Sequence, residues 1–285
     1  MGLSACALSY VRLMSTQQIR AERFLALHEG PYPLLLPNPW DQGSAKLLAS
    51  LGFEALATTS GGFAATLGRP DGSLTREEAL AHAALIVRAT DLPVSADLEN
   101  GFADEPAGVA KTIELAIETG LAGCSVEDFS GQPDGEIYEQ GLAADRIAAA
   151  AESAHRGSLH FVITARAENH IRGRPDLADT ITRLQAFQAA GADVLYAPGL
   201  SKLDDIRSVI DSVDRPVNVL ALPGSPTVSE LAAIGVRRIS VGGAFAYAAA
   251  GALVEAAQEF REQGTYGFWE RAGTGASASR AAFER

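Results

Sequence analysis

Short apolar segments alternate with amphipathic helical segments along most of this chain, and eight such pairs follow one another without a break. The apolar segments cover 33–37, 55–59, 94–98, 123–127, 161–165, 194–197, 217–221 and 238–241. Each is too short for a helix and is bounded by Gly, Pro, Asp or Ser, which reads as a buried parallel strand. Helical periodicity fills the gaps at 43–51, 76–90, 106–119, 142–156, 177–190, 203–212 and 228–234, and again over 245–263 after the last strand. Gly52, Gly120, Gly191 and Gly235 stand where helices end before a strand, as C-terminal capping requires. Eight consecutive strand–helix units predict an α/β protein of the (β/α)8 barrel type, a TIM barrel. A doubly wound open sheet uses the same units but seldom so many in succession.

The expected limits are an N-terminal extension over 1–15, disordered, a single barrel domain over 16–265, and a C-terminal arm over 266–285. The barrel would open with a helix at 16–29, acting as a lid or a dimer element. The arm starts with Tyr266, Phe268 and Trp269 and then turns polar, so it should pack on a neighbour and then fray. The 285 residues, 47% hydrophobic and 20% charged, suit one large core. A net charge of −12 argues against nucleic acid or an anionic membrane as partner. No apolar run is long enough to span a bilayer, and residues 1–14 lack the pattern of a signal peptide. Cys6 and Cys124 form neither a disulfide framework nor a zinc pattern. Cys124 reads as a small core residue, and a reducing cytoplasm is the expected location.

In a barrel the chemistry sits at the C-terminal ends of the strands. The third strand ends in Asp97 and Glu99, two apart, which on a continuing strand would share a face. Two carboxylates at a buried strand end are costly unless a cation lies between them, and a hard divalent ion with oxygen ligands fits. Other strand ends add Asp71, Glu127, Arg166 and Asn218, while Glu168 and His170, just beyond the fifth strand, read as rim residues. Ser60-Gly61-Gly62 offers backbone N–H groups suited to a carboxylate or oxyanion. Together these describe a site for Mg2+ and an anionic, oxygen-rich ligand. Lys46, Lys111 and Lys202 all fall on or just before helices, which disfavours a Schiff-base aldolase. His82, His155 and His160 fall on helices or at the opposite face and read as surface or packing groups. The pair Gly242-Gly243 is equally well explained by close helix packing.

The ordered motifs PNPWDQGSAKLLASLGFEALATTSGG, LGRPDG, VSADLENGF, SVEDFSG and ITARAENH resemble the isocitrate lyase / phosphoenolpyruvate mutase superfamily from about residue 36 to 243. The resemblance implies a (β/α)8 barrel whose last helix is exchanged between subunits of a homodimer or homotetramer. It implies Mg2+, with Mn2+ as a substitute, and a small 2-oxo acid substrate. Asp97 would be the direct metal ligand, and Asp71, Glu99 and Glu127 would hold the metal through water. Ser60, Gly61 and Gly62 would bind the substrate's carboxylate and enolate oxygen, with Arg166, Asp97 and Asn218 also contacting substrate.

The departures narrow the reading. The lyases of this superfamily carry a Lys-[Lys/Arg]-Cys-Gly-His loop whose Cys donates a proton, whereas here the loop after Glu127 reads DFSGQPDGEIYEQG. The Lys and Asn-Ser of phosphonate-processing members are missing as well. Tyr138, Glu136 or Asp134 would then supply the acid, with Arg166 and Glu127 as the other catalytic groups. The expectation is a Mg2+-dependent carbon–carbon lyase or decarboxylase acting on a small 2-oxo or 2-hydroxy dicarboxylate through a pyruvate-type enolate. The alternatives are a phosphorylmutase or phosphonate C–P hydrolase of the same superfamily, and a binding protein for 2-oxo acids without turnover.

Overall fold

A computed structural model describes residues 15–131 and 136–284; Cys6, Asp134 and the extension over 1–14 lie outside them. Eight parallel strands follow in sequence: β1 (Leu34–Leu36), β2 (Leu56–Ala57), β3 (Val94–Asp97), β4 (Gly123–Glu127), β5 (Val162–Arg166), β6 (Val194–Tyr196), β7 (Val217–Leu220) and β8 (Arg238–Ser240). Each pairs with its sequence neighbour from β2 through β8, and β8 pairs in parallel with β1. The seam between β1 and β2 is bridged by the Ala57 N–H, which donates to the Pro37 carbonyl at 3.0 Å. The expected (β/α)8 barrel is therefore the observed architecture.

The helices α1 (Thr16–Ala26), α2 (Gln42–Ser50), α3 (Ser60–Thr66), α4 (Arg76–Ala89), α5 (Pro106–Glu118), α6 (Gln140–His155), α7 (Leu177–Ala189), α8 (Leu203–Ile210) and α9 (Val228–Ala233) accompany the strands, and all but α1 and α3 belong to the outer ring. The main core lies between strands and helices, where Leu56, Val126, Ile163 and Leu195 meet Ile86, Ile113, Ile147 and Leu184. A second cluster joins Ala21 and Phe24 of α1 to Leu34, Ala55, Ala122, Val162 and Val194. The N-terminal helix is thus a floor under the barrel, opposite the C-terminal mouth, and not a lid. Its start is set by a capping box between Ser15 and Gln18.

Two elements depart from the sequence expectation. β2 stops at Ala57 because Thr59 leaves the strand to cap α3, accepting the Gly62 N–H at 3.2 Å. The Ser60-Gly61-Gly62 segment therefore opens a short helix. At the other end, α10 (Ala244–Gln258) passes through a π-turn (Glu259–Gln263) to α11 (Trp269–Phe283). The arm does not fray after its aromatics: it is helical to Phe283, with Ala282 buried and Phe283 lying over Gly43 of α2. No residue of α10 is buried, although the helix is strongly apolar; Leu253 and Val254 are 71% and 54% exposed.

Candidate active site

The barrel mouth is built from the ends of β2, β3, β4 and β5 and encloses a cavity of about 650 Å3. Ser60, Asp71, Glu99, Glu127, Phe129, Arg166 and Arg172 are among its lining residues. Register explains part of this gathering. Asp97 pairs with Ser125, and Glu127 with Arg166, so parallel pairing brings Asp97, Glu127 and Arg166 to one rim.

Arg166 is the hub. Its Nη1 donates to Asp97 Oδ1 at 3.0 Å, and its Nη2 lies 2.9 Å from Glu127 Oε2. Its Nε and Nη2 grip Glu168 Oε1 at 3.1 and 2.8 Å. Burial works against the guanidinium's charge, yet Glu127, Glu168 and Asp97 hold its pKa well above the ordinary value. Arg172 adds a second, outer cation, 3.2 Å from Glu168 Oε2 and 3.6 Å from Glu127 Oε1, with its guanidinium over the Phe129 ring.

Glu99 reaches the mouth by a different route from the one its spacing suggests. β3 ends at Asp97, and Glu99 turns off the strand with φ 48, a left-handed conformation rare for a side chain larger than Gly. The turn is fixed from both sides: the Glu127 N–H donates to the Glu99 carbonyl at 2.9 Å, and the Gly101 N–H donates to the Leu98 carbonyl at 2.7 Å. Among the described residues, the buried Glu99 Oε1 has no hydrogen-bond partner. Burial, then the charges of Asp97 and Asp71, push its carboxyl up to about 7. Burial likewise raises Glu127 well above the carboxylate range, against the pull of Arg166.

The expected substrate-binding segment is partly committed to the protein itself. The Ser60 hydroxyl donates to Asp97 Oδ2 at 3.0 Å, its N–H approaches the same oxygen at 3.3 Å, and the Gly62 N–H is taken by Thr59. The two glycines are required by close approach. A Cβ on Gly61 would lie 3.0 Å from Asp71 Oδ2 and from the Tyr247 hydroxyl, and one on Gly62 would lie 2.6 Å from Thr59 Cγ2.

Asn218 lines a smaller pocket inside the barrel together with Asp97 and Arg166, donating to Ser240 Oγ at 3.0 Å and accepting from Arg238 Nε at 2.9 Å. Tyr138 does not line the cavity; its hydroxyl donates to Asp104 at 2.5 Å and accepts from Asn100 at 3.2 Å. The Tyr138 ring lies under the Arg146 guanidinium, so its phenol is a structural tie between the β3 and β4 loops. Glu136 is exposed and contributes its backbone carbonyl to Ser130. Glu168, read as a rim residue, is 1% exposed and central to the charge network. Arg172 was not singled out from sequence at all. Its cue is the four-residue spacing from Glu168 on a turn beyond β5.

The donor set suits a hard cation. Asp71, Asp97, Glu99, Glu127 and Glu168 bring five carboxylates against two guanidiniums, Arg166 and Arg172. An all-oxygen surplus of negative charge with an unpartnered buried carboxylate oxygen is the chemistry that a divalent ion of the Mg2+ type satisfies.

A profile of the phosphoenolpyruvate phosphomutase family matches residues 24–261. A Burkholderia cenocepacia J2315 protein of known structure, assigned only to a lyase/mutase class, is 50% identical, aligns over 93% of this chain and 97% of its own, and superposes with a TM-score of 0.90. The 2-methylisocitrate lyase of Escherichia coli strain K12 is 31% identical over 211 residues, 70% of each protein. Oxaloacetate acetylhydrolase, solved with its product oxalate, is 26% identical over 87% of this chain and 88% of its own, with a TM-score of 0.79.

Proposed function

The chain belongs to the phosphoenolpyruvate phosphomutase family, and on that premise we propose that it is a metal-dependent carbon–carbon lyase acting on a small 2-oxo or 2-hydroxy dicarboxylic acid. The observation that carries this reading is that Glu99, whose buried Oε1 has no hydrogen-bond partner among the described residues, lines one cavity with Asp71 and Arg166, the latter bonded to Asp97. The named relatives act on oxaloacetate and on 2-methylisocitrate, both small oxygen-rich carboxylic acids.

Asp97, Asp71 and Glu99 would hold the cation, Mg2+ or Mn2+, with Glu127 beside them. The cation would supply positive charge against the oxygen on which an enolate develops. The remaining work falls to the chain. Arg166 and Arg172 add fixed positive charge to the cavity lining, where a substrate carboxylate would dock. Ser60 and the start of α3 line the same cavity beside Asp71 and would orient the ligand's oxygens. Glu127 is the group placed to exchange a proton with the enolate, because it lines the cavity and burial pushes its carboxyl above the ordinary range against the pull of Arg166. Its oxygens face Arg166 and Arg172, which stabilise it when the proton leaves.

The unpartnered apolar face of α10 supports a homo-oligomer in which this helix packs on a second copy. No helix among the described residues is long and apolar enough to cross a membrane, and a cytoplasmic location is proposed with the rest. The function is tested by following pyruvate release from oxaloacetate and from branched 2-hydroxy dicarboxylates, with Mg2+ and with EDTA. EDTA-sensitive release supports a lyase. Free phosphate from phosphonopyruvate would instead identify phosphonate chemistry.

A further inference from the structure

We propose that His155, His160 and Asp193 form a second metal site, for Zn2+ or a similar borderline divalent cation, on the face of the barrel opposite the mouth. The three residues come from three elements. His155 ends α6, His160 lies in the connection that leads into β5, and Asp193 immediately precedes β6. One ligand atom from each lies within 4.8 Å of the other two.

The geometry is that of a site nearly formed. His160 Nε2 is 2.8 Å from Asp193 Oδ1, and His155 Nε2 is 3.1 Å from Asp193 Oδ2. The two imidazoles stack with centroids 4.4 Å apart and planes 23° apart, so both present the same nitrogen to one carboxylate. Ligands about 2.0–2.2 Å from a tetrahedral ion lie about 3.4 Å from one another. The observed contacts therefore widen by only a few tenths of an ångström to admit one.

Asp193 is prepared as a ligand. It is 8% exposed, and its Oδ2 also accepts the Ile163 N–H at 2.8 Å, which fixes its orientation. Three nitrogens, from His155, His160 and the Ile163 backbone, converge on its two oxygens. The His155 and His160 side chains are 29% and 40% exposed, so the cluster is reachable by an ion from solvent. Two imidazoles with one carboxylate select for zinc-like ions and against Mg2+, so this site and the all-oxygen mouth would not compete for one metal. Bound there, the ion would clamp α6, β5 and β6 together.

The test compares the full-length wild type with His160→Gln, which keeps a polar contact to Asp193 but removes an imidazole ligand, and with His155→Ala. Zinc binding is measured by equilibrium dialysis against micromolar ZnCl2, and thermal unfolding with ZnCl2, MgCl2 and EDTA. The expected result is that wild type takes up one more zinc per chain than either variant, and that micromolar zinc raises its Tm while leaving theirs unmoved. Equal zinc uptake by wild type and both variants would overturn the proposal, as would uptake by wild type only at millimolar zinc. Either outcome would leave the triad as a hydrogen-bonded His–Asp–His chain.

Discussion

Arg166 Nη1 donates to Asp97 Oδ1 at 3.0 Å, joining the last residue of β5 to the last residue of β3. This bond joins the acid proposed to hold metal and the cation proposed to hold the substrate carboxylate in one network. Removing either should disturb both functions. Asp97→Ala is expected to abolish Mg2+-dependent stabilisation and turnover while the barrel stays folded. Calorimetric titration of Mg2+ into the variant checks it, and unchanged affinity would remove Asp97 from the metal site.

Arg166→Ala leaves Glu127 and Glu168 buried beside one another without their principal cation. Truncating one partner of a buried charge pair costs about 2–5 kcal/mol. The variant should therefore melt lower than wild type and bind a carboxylate ligand correspondingly more weakly. Arg166→Lys should recover part of the stability but little of the binding, because an ammonium cannot reproduce the three-way fork. Urea denaturation and ligand titration on both variants separate the two effects.

The resemblance of motifs and the strand–helix beat made the barrel and most of its mouth legible. Asp97, Glu127 and Arg166 were readable because strand ends map directly onto the mouth. Glu99 was readable as a site residue, but for a reason the fold does not use: a pleat argument placed it, whereas a left-handed turn delivers it. Arg172 was not readable, because its role depends on a turn that brings it back over β4, and periodicity does not report turns of that kind. Tyr138 carried the opposite error. A phenol in the loop after β4 looked free to act, yet Asp104 and Asn100 claim it.

His28 gives a pH dependence with a definite sign. Burial, then the nearby Arg238 charge, lowers its pKa from 6.5 to about 3, and its Nδ1 lies 2.8 Å from the Phe24 carbonyl. The folded state keeps the ring neutral while the unfolded chain takes up a proton below pH 6.5. The stability is complete above that value and is lost progressively as pH falls toward 3. The loss from this group approaches about 1.4 kcal/mol per pH unit. His28→Gln should flatten the decline between pH 6 and pH 4 in urea unfolding; an unchanged slope would assign the acid sensitivity to other groups.

Cys124 is fully buried on β4, and burial pushes its thiol far above the ordinary range. It should resist alkylation at pH 8 until the protein is unfolded, as peptide mapping by mass spectrometry would show. Cys124→Ala should retain turnover; a folded but inactive variant would contradict its assignment to the core.

The α10 face supplies a prediction about assembly. Replacing Leu253 and Val254, both exposed in the single chain, by Glu should shift the protein toward monomer in light scattering. A wild type that is already monomeric at micromolar concentration would contradict the proposed packing of α10 on a second copy.

The central claim is that the mouth binds a divalent cation and a 2-oxo acid together and breaks a bond next to the carbonyl. Its most direct test is thermal unfolding with pyruvate, oxaloacetate, 2-oxoglutarate and phosphonopyruvate, each in Mg2+ and in EDTA, followed by assay of released pyruvate. The account predicts a rise in Tm that requires both Mg2+ and an acid of this class, with EDTA-sensitive pyruvate formation from a dicarboxylate. The contradicting result is an unchanged Tm with every acid in Mg2+ and no pyruvate formed.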